Sequence, residues 1–139
     1  MTPLYAQNYD FSMFNVLAVD DIPLNLLLVQ KMLSKFNFRM RTASGGQQAL
    51  DAVEAERPDL ILLDLMMPGI DGFEVIRRLR ENPATADIQI VILSALNSNE
   101  DVIKGFNAGA NDFIMKPIIM EKLLSCVVNQ LKIAEARNK

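Results

Sequence analysis

Short apolar runs alternate with longer amphipathic stretches five times along the chain. The runs at 14–19, 59–63 and 88–93 are apolar almost throughout, which is typical of strands buried on both faces of a sheet. Two shorter runs, 38–42 and 112–115, complete the set, and the first of these is polar enough for a sheet edge. Apolar residues at helical spacing follow each run and predict helices at 23–36, 47–56, 73–81, 99–108 and 118–134.

This alternation predicts an α/β fold in which a five-stranded parallel sheet carries helices on both faces, a doubly wound arrangement. Pro23 suits the first turn of a helix, where its missing N–H costs nothing, and Gly109 is a helix stop signal. Crossovers in such sheets are right-handed, so the carboxyl ends of all strands share one edge. Ligands of open α/β sheets bind at that edge, near a point where the strand order reverses.

Chemically useful residues follow four of the five predicted strands: Asp20-Asp21, Asp64, Ser94 and Lys116-Pro117. Each has an ordinary structural reading, since Asp forms turns, Ser caps helices and Lys lies on surfaces. Their conjunction is more informative, because a parallel sheet brings three carboxylates, one hydroxyl and one ammonium to the same edge.

Three neighbouring carboxylates repel one another unless a cation lies among them, and Mg²⁺ favours carboxylates together with water and phosphate oxygens. Asp20 and Asp21 suit the metal. Asp64 then serves as metal ligand and as nucleophile toward phosphorus, forming an acyl phosphate. The Lys116 ammonium and the Ser94 hydroxyl stabilise the charge on the phosphoryl group in transfer.

Four motifs resemble those of the response-regulator receiver family: Val-Asp-Asp at 19–21 with Asn25 downstream, Leu-Leu-Asp-Leu-Met-Met-Pro-Gly-Ile-Asp-Gly at 62–72, Leu-Ser-Ala at 93–95 and Asp-Phe-Ile-Met-Lys-Pro at 112–117. The resemblance covers 14–134 and implies a flavodoxin-like sheet of strand order 2-1-3-4-5 with five helices. It implies that Asp64 is the phosphoacceptor and that Asp20, Asp21, Asp64 and the Met66 backbone carbonyl hold Mg²⁺ or Mn²⁺. By the same resemblance Ser94 and Phe113 are switch residues and Lys116 senses phosphate. The resemblance also implies a cis peptide bond before Pro117.

By this resemblance the chain is a signalling module in a two-component system. It takes a phosphoryl group from a sensor histidine kinase or a histidine phosphotransfer protein, and the face formed by helix 4, strand 5 and helix 5 then controls a downstream protein. It catalyses only its own phosphorylation and dephosphorylation. A homodimer that depends on phosphorylation is a further option. For Phe113 the alternative is a core residue without a switching role.

Met66 and Leu96 lie two residues beyond Asp64 and Ser94, where polar side chains help to position the hydrolytic water in some receivers. Both are apolar here, so we expect a slowly hydrolysing phospho-form, unless both are packing residues without kinetic effect. Gly105 and the sparse apolar pattern at 98–110 predict a fourth helix of low intrinsic stability, which suits a switching element.

The 139 residues, half of them apolar, fit one domain. We expect a partly ordered extension at 1–13, a receiver domain at 14–134 and a polar tail at 135–139.

No histidine is present, which excludes catalytic triads. The lone Cys126 is expected to be buried. No basic run predicts nucleic-acid binding, and the patch at 77–80 is read as a solvated helix face. No signal peptide or membrane span is evident, so a cytoplasmic location is expected.

Two other functions fit the sequence less well. A phosphohydrolase of the haloacid-dehalogenase type needs an Asp-x-Asp pattern after its first strand, whereas Asp20 and Asp21 are adjacent. A degenerate receiver lacks pocket residues that this chain retains. The chain is either a free-standing regulator or a receiver from a longer protein, and the initiating methionine with its native-looking tail favours the former.

Overall fold

The computed structural model describes residues 10–137. The predicted extension at 1–13 therefore lies mostly outside the described residues. Of its last four residues, Phe11 is buried and Met13 is exposed. The proposed domain boundaries stay predictions.

Five strands and five helices alternate along the chain, as the sequence pattern predicts. They are β1 (Asn15–Val19), α1 (Pro23–Met32), β2 (Arg39–Ala43), α2 (Gly46–Ala55), β3 (Leu60–Leu63), α3 (Gly72–Glu81), β4 (Gln89–Ser94), α4 (Asn99–Ala108), β5 (Asp112–Met115) and α5 (Met120–Arg137). No helix within residues 10–137 is both long and apolar enough to cross a membrane.

The sheet is parallel throughout and its strand order is β2-β1-β3-β4-β5, which confirms the predicted doubly wound fold. The order reverses between β1 and β3, whose last residues, Val19 and Leu63, are partners in the register. Ser94, the last residue of β4, is the partner of Met115 in β5. The residues that follow these strands therefore share one edge of the sheet.

Alternating side chains of the central strands enter two separate cores. Val16 and Ala18 of β1 face the core covered by α1 and α5, while Leu17 and Val19 face the core covered by α2 and α3. Strands of this kind are apolar on both faces because no side chain along them meets water. β2 has more exposed residues, which fits its place at the edge.

The first helix ends at Met32, four residues before the predicted end at Phe36. The misleading signal was Phe36 itself, which is buried against Phe11 at 5.0 Å and against Phe38 at 5.5 Å between ring centroids. The Phe36 side chain packs in an aromatic cluster beside α1 and does not belong to a further helical turn. The Ser34 hydroxyl donates to the Lys31 carbonyl at 2.8 Å where the helix ends.

α4 has the predicted bounds and both of its ends are capped. The Ser98 hydroxyl accepts from the Asp101 N–H at 3.1 Å. Gly109 closes the helix with φ 119°, a left-handed conformation that favours glycine, so the predicted stop signal is confirmed. Gly105 is buried within α4, and a Cβ there would lie 2.8 Å from Ile92 Cδ1 and 3.2 Å from the Phe113 ring. This glycine lets α4 approach the sheet closely.

The solvated-face reading of the basic patch at 77–80 is wrong for Arg80. Arg77 and Arg78 are exposed and pair with glutamates of the same helix. Arg80 is half-buried and donates to the carbonyls of Gly109 at 2.9 Å and Ile88 at 2.6 Å. Its guanidinium therefore ties α3 to the end of α4 and to the chain entering β4.

Candidate functional site

The acidic end of the sheet is built by the chain leaving β1 and β3. The Asp64 N–H donates to the Val19 carbonyl at 3.0 Å, which extends the sheet pairing one residue beyond β3. The Asp20 and Asp64 side chains are both buried, and Asp21 is half-buried. One carboxylate oxygen from each of Asp20, Asp21 and Asp64 lies within 4.8 Å of the others. The predicted convergence of the three carboxylates is therefore present.

Gly72 explains how the first turn of α3 packs against the chain that carries Asp64. A Cβ at this position would lie 2.5 Å from the Asp64 carbonyl oxygen and 2.7 Å from Leu65 Cα. The Gly72 N–H donates to the Leu65 carbonyl at 3.0 Å. Any larger residue would push the Asp64 backbone away from α3.

Lys116 reaches the acidic end from β5. Its Nζ lies 3.0 Å from Asp20 Oδ2 and 3.7 Å from Asp64 Oδ2. Its backbone N–H donates to the Ser94 carbonyl at 2.8 Å, which fixes where the side chain begins. The Lys116–Pro117 peptide bond is cis. One ammonium thus stands between two carboxylates that are 96 and 52 residues distant from it along the chain.

The charge balance of the site acts on Asp64. Burial raises the pKa of the Asp64 carboxyl above its usual value, the Lys116 ammonium opposes that change, and the Asp20 carboxylate adds to it. The Met66 and Leu65 N–H groups also favour the charged form, the former at 3.3 Å from Asp64 Oδ1. The net result is a carboxylate whose charge is less favourable here than in water.

Ser94 and Phe113 lie on the two strands next to the acidic end. Ser94 is fully buried, and its Oγ accepts from the Leu96 N–H at 3.2 Å. Within residues 10–137 no hydrogen bond joins Ser94 to Asp64. Phe113 is half-buried and packs on the α2–α3 core beside Gly105. The structure therefore brings together the side chains of Asp20, Asp21, Asp64 and Lys116, and the backbone of Ser94 is joined to that of Lys116 beside them.

Several apolar side chains near the site are exposed, among them Met66, Ile119 and Met120. Met66 is 57% exposed and Ile119 is 55% exposed. Met67, by contrast, is buried. A second exposed set lies on α1 and the residue before it: Ile22, Leu24, Leu27 and Leu28.

A cavity of about 360 Å³ extends from the acidic end beneath α1. Asp20, Asp64 and Lys116 line one part of it, together with Asn25 on the first turns of α1. Asn25 stands downstream of the Val-Asp-Asp motif, and the sequence predicts no role for it. Its position at helical spacing after the Asp pair was the available signal. The cavity itself has no sequence signal, because it depends on how closely α1 approaches the sheet.

Comparisons with known proteins agree on one family. The family model described as "Response regulator receiver domain" matches residues 16–128. Response regulator PleD of Caulobacter vibrioides is 44% identical over 103 residues, which are 74% of this chain and 23% of PleD. The chain thus spans about a quarter of that relative's length.

Solved structures agree as well. The chemotaxis protein CheY4 of Vibrio cholerae superposes with a TM-score of 0.78 at 31% identity, covering 84% of this chain and 98% of CheY4. The Mn²⁺-bound form of response regulator Rcp1 superposes with a TM-score of 0.74 at 26% identity, covering 82% of this chain and 91% of Rcp1.

Proposed function

The chain belongs to the response regulator receiver domain family, and on that premise we propose that Asp64 accepts a phosphoryl group from a histidine kinase or a histidine phosphotransfer protein. Receiver domains are signalling modules of two-component systems. The observation that carries the proposal is the placement of the Lys116 ammonium 3.0 Å from Asp20 and 3.7 Å from Asp64 at the carboxyl edge of the sheet.

The donor set fits a hard divalent cation. Three carboxylate oxygens lie within 4.8 Å of one another, and oxygen ligands of this kind suit Mg²⁺ or Mn²⁺. Asp20, Asp21 and Asp64 would hold the ion with the Met66 backbone carbonyl, and the similarity to Rcp1, which was solved in a Mn²⁺-bound form, supports metal binding by this chain. Such an ion supplies charge neutralisation for the carboxylates and for phosphate oxygens.

The chemical step that we propose is an in-line displacement at phosphorus. A carboxylate oxygen of Asp64 forms the new P–O bond while the P–N bond to the partner's histidine breaks, and the electron pair stays on the imidazole nitrogen. The Lys116 ammonium stabilises the charge that spreads over the phosphoryl oxygens. Burial raises the pKa of Asp64, and the Lys116 ammonium and the backbone N–H groups oppose that change and so favour the carboxylate that attacks phosphorus.

We propose that the added oxygens act on Ser94 and Phe113. The Ser94 hydroxyl exchanges the Leu96 N–H for a phosphoryl oxygen, and the loop from Ser94 to Ser98 moves with it. Phe113 then turns further into the space between β5 and α4, where Gly105 leaves room for its ring. Single Ala variants of Ser94 and Phe113 should keep phosphorylation and lose discrimination between phosphorylated and unphosphorylated forms by the partner. An unaltered phospho-dependent response in both would contradict this switch.

The face that changes is a reasonable docking surface for a downstream protein. Ile103 and Phe106 of α4 and Met115 of β5 are exposed, at 58%, 45% and 48%. Exposed apolar groups on the moving elements offer a partner, or a second phosphorylated copy of the chain, a surface that depends on the state of Asp64. The downstream protein therefore binds the α4-β5-α5 face in this proposal.

The first test is intact-mass analysis after incubation with acetyl phosphate and Mg²⁺. We expect one added phosphoryl group, abolished by a chelator and by Asp64→Asn. Asp51→Asn is the matched control, since Asp51 is an exposed residue of α2 and its substitution should leave the adduct unchanged. No adduct, combined with no binding of beryllofluoride, would show a degenerate receiver. Steady turnover of a general phosphate ester would instead favour a phosphohydrolase.

A further inference from the structure

The cavity beneath α1 has a shape and a lining that the phosphorylation site does not require. All but four of its lining residues are apolar, including Leu26 and Met32 of α1 and Leu62 and Leu93 of the sheet. Its volume of about 360 Å³ exceeds that of an apolar cavity of about 150 Å³ that holds benzene in another protein. The cavity is therefore large enough for a small organic molecule.

Three of the four polar residues of the lining lie close together and form its polar end. Asp20 and Asp64 follow strands, Lys116 stands between them, and Asn25 lies on the first turns of α1. Met32, the last residue of α1, also lines the cavity. Met32 lies seven positions after Asn25 in the helix, which is about 10 Å at 1.5 Å per residue. The lining thus follows α1 for about 10 Å and combines the polar end with apolar side chains.

The charge at the polar end selects the type of head group. Two carboxylates face one ammonium, so the end has a net negative charge before any ligand binds. The Asn25 side chain has no hydrogen-bond partner within residues 10–137, and its amide oxygen is free to accept from a donor. A primary ammonium offers a positive charge and three N–H donors, whereas a carboxylate would meet two like charges.

We propose that the cavity beneath α1 is a binding site for small cationic amphiphiles, that is, primary amines with a hydrocarbon tail of about 10 Å. The ammonium binds Asp20, Asp64 and Asn25, and the tail lies along Leu26, Val29 and Met32 under α1. The binding itself does not depend on the proposed phosphorylation. Its consequence does rest on it: a molecule bound to Asp20 and Asp64 prevents acceptance of a phosphoryl group.

Three probes with the same tail test the head group: octylamine, octanol and octanoate, each below the concentration at which it self-associates. In metal-free buffer, titration calorimetry should show saturable binding of octylamine with a dissociation constant at least tenfold below that of octanoate, with octanol between them. Hexylamine, which lacks two methylene groups, should bind about tenfold more weakly than octylamine. Equal affinities for all three heads, or no saturable binding of octylamine, would overturn the proposal.

Two variants of α1 test the location of the tail. Val29 is buried and lines the cavity, so Val29→Phe should fill it and weaken octylamine at least tenfold. Leu27 is 54% exposed on the outer side of the same helix, so Leu27→Phe is the matched control and should bind as the wild type does. Equal weakening in both variants, or in neither, would show that octylamine does not occupy this cavity.

A direct contact measurement covers the case in which Val29→Phe fails to fold. With methyl-labelled methionine, the wild-type Met32 methyl group should show nuclear Overhauser contacts to the octylamine tail, and the Met13 methyl group, which is 86% exposed, should show none. Contacts to Met13 with none to Met32 would overturn the assignment. Phosphorylation by acetyl phosphate, measured without any probe, tests the proposed function separately.

Discussion

Asp64→Asn should stabilise the metal-free protein at neutral pH. The pKa of Asp64 is raised because its burial and the Asp20 carboxylate outweigh the Lys116 ammonium, so the charged carboxylate is less stable in the folded chain than in the unfolded one. Asparagine is neutral, and it retains an oxygen that can accept from the Met66 N–H. Single stabilising substitutions commonly contribute about 0.5–2 kcal/mol, and we expect a gain in that range.

The gain must depend on pH in one direction. Below the unfolded pKa of the carboxyl both states bind the proton, and the wild type loses nothing relative to Asp64→Asn. As the pH rises above that value, the unfolded chain releases the proton first, and the wild type loses stability until the pH passes the raised folded pKa. The advantage of the variant is therefore larger at neutral pH and shrinks as the pH falls toward about 4.

Thermal unfolding with a chelator present, between neutral pH and about pH 4.5, measures this difference. At neutral pH we expect Asp64→Asn to raise Tm by about 4 °C for a domain of this size, and the exposed-residue variant Asp51→Asn to leave it unchanged. Adding Mg²⁺ should raise the Tm of the wild type and have a smaller effect on Asp64→Asn, which lacks one ligand. A variant less stable than the wild type at neutral pH, or a gain that grows on acidification, would refute the reasoning.

Three further results are expected. The Cys126 thiol is buried and donates to Asp112 Oδ2, and its pKa is raised to about 12, chiefly by burial. Because little thiolate forms, the native protein should resist maleimides at pH 7.5 until it is denatured. Arg80→Lys should lower the free energy of unfolding by about 2 kcal/mol, because a lysine cannot donate to the separate carbonyls of both Gly109 and Ile88. The control Arg78→Lys, on the exposed face of α3, should leave the free energy of unfolding unchanged in the same denaturant titration. Phosphorylated protein should hydrolyse slowly, with a half-life well beyond seconds by mass analysis, and Met66→Gln or Leu96→Gln should shorten it; rapid hydrolysis that neither variant alters would contradict this.

The strands and the acidic residues could be predicted because both depend on local sequence and on general rules of α/β topology. Continuous apolar runs such as 60–63 have few structural readings, and right-handed crossovers bring the residues after each strand to one edge. Asp20, Asp64 and Lys116 could therefore be placed together without knowledge of any contact. The strand order came from the family resemblance, since the pattern alone allows several orders.

Other features depend on tertiary contacts that no local pattern encodes. Phe36 continues the apolar spacing of α1 but packs with Phe11 and Phe38, so periodicity alone extended the helix too far. Arg80 belongs to a charged stretch, and only the carbonyls around the end of α4 make its burial favourable. The cavity under α1 depends on the distance between a helix and a sheet, which the sequence pattern does not fix.

The two ends of the sheet differ in how their charges are satisfied, and this difference separates stability from function. At the end opposite the acidic residues, the Asn15 N–H donates to Asp59 Oδ2 at 2.9 Å, and the Arg41 guanidinium donates to the Ala52 and Glu56 carbonyls at 2.9 and 2.6 Å.

At the acidic end, three carboxylates lie close together, one ammonium pairs with two of them, and burial makes the charge of Asp64 less favourable in the fold. A folded chain carries such an unbalanced cluster only if the rest of the molecule supplies the stability. The same imbalance draws a cation, a phosphoryl group with its metal, or an amine to this edge, because each of these ligands lowers a repulsion that the protein leaves uncompensated. Asp64→Asn should therefore make the domain more stable and unable to switch, and that combination distinguishes a functional charge cluster from a structural one.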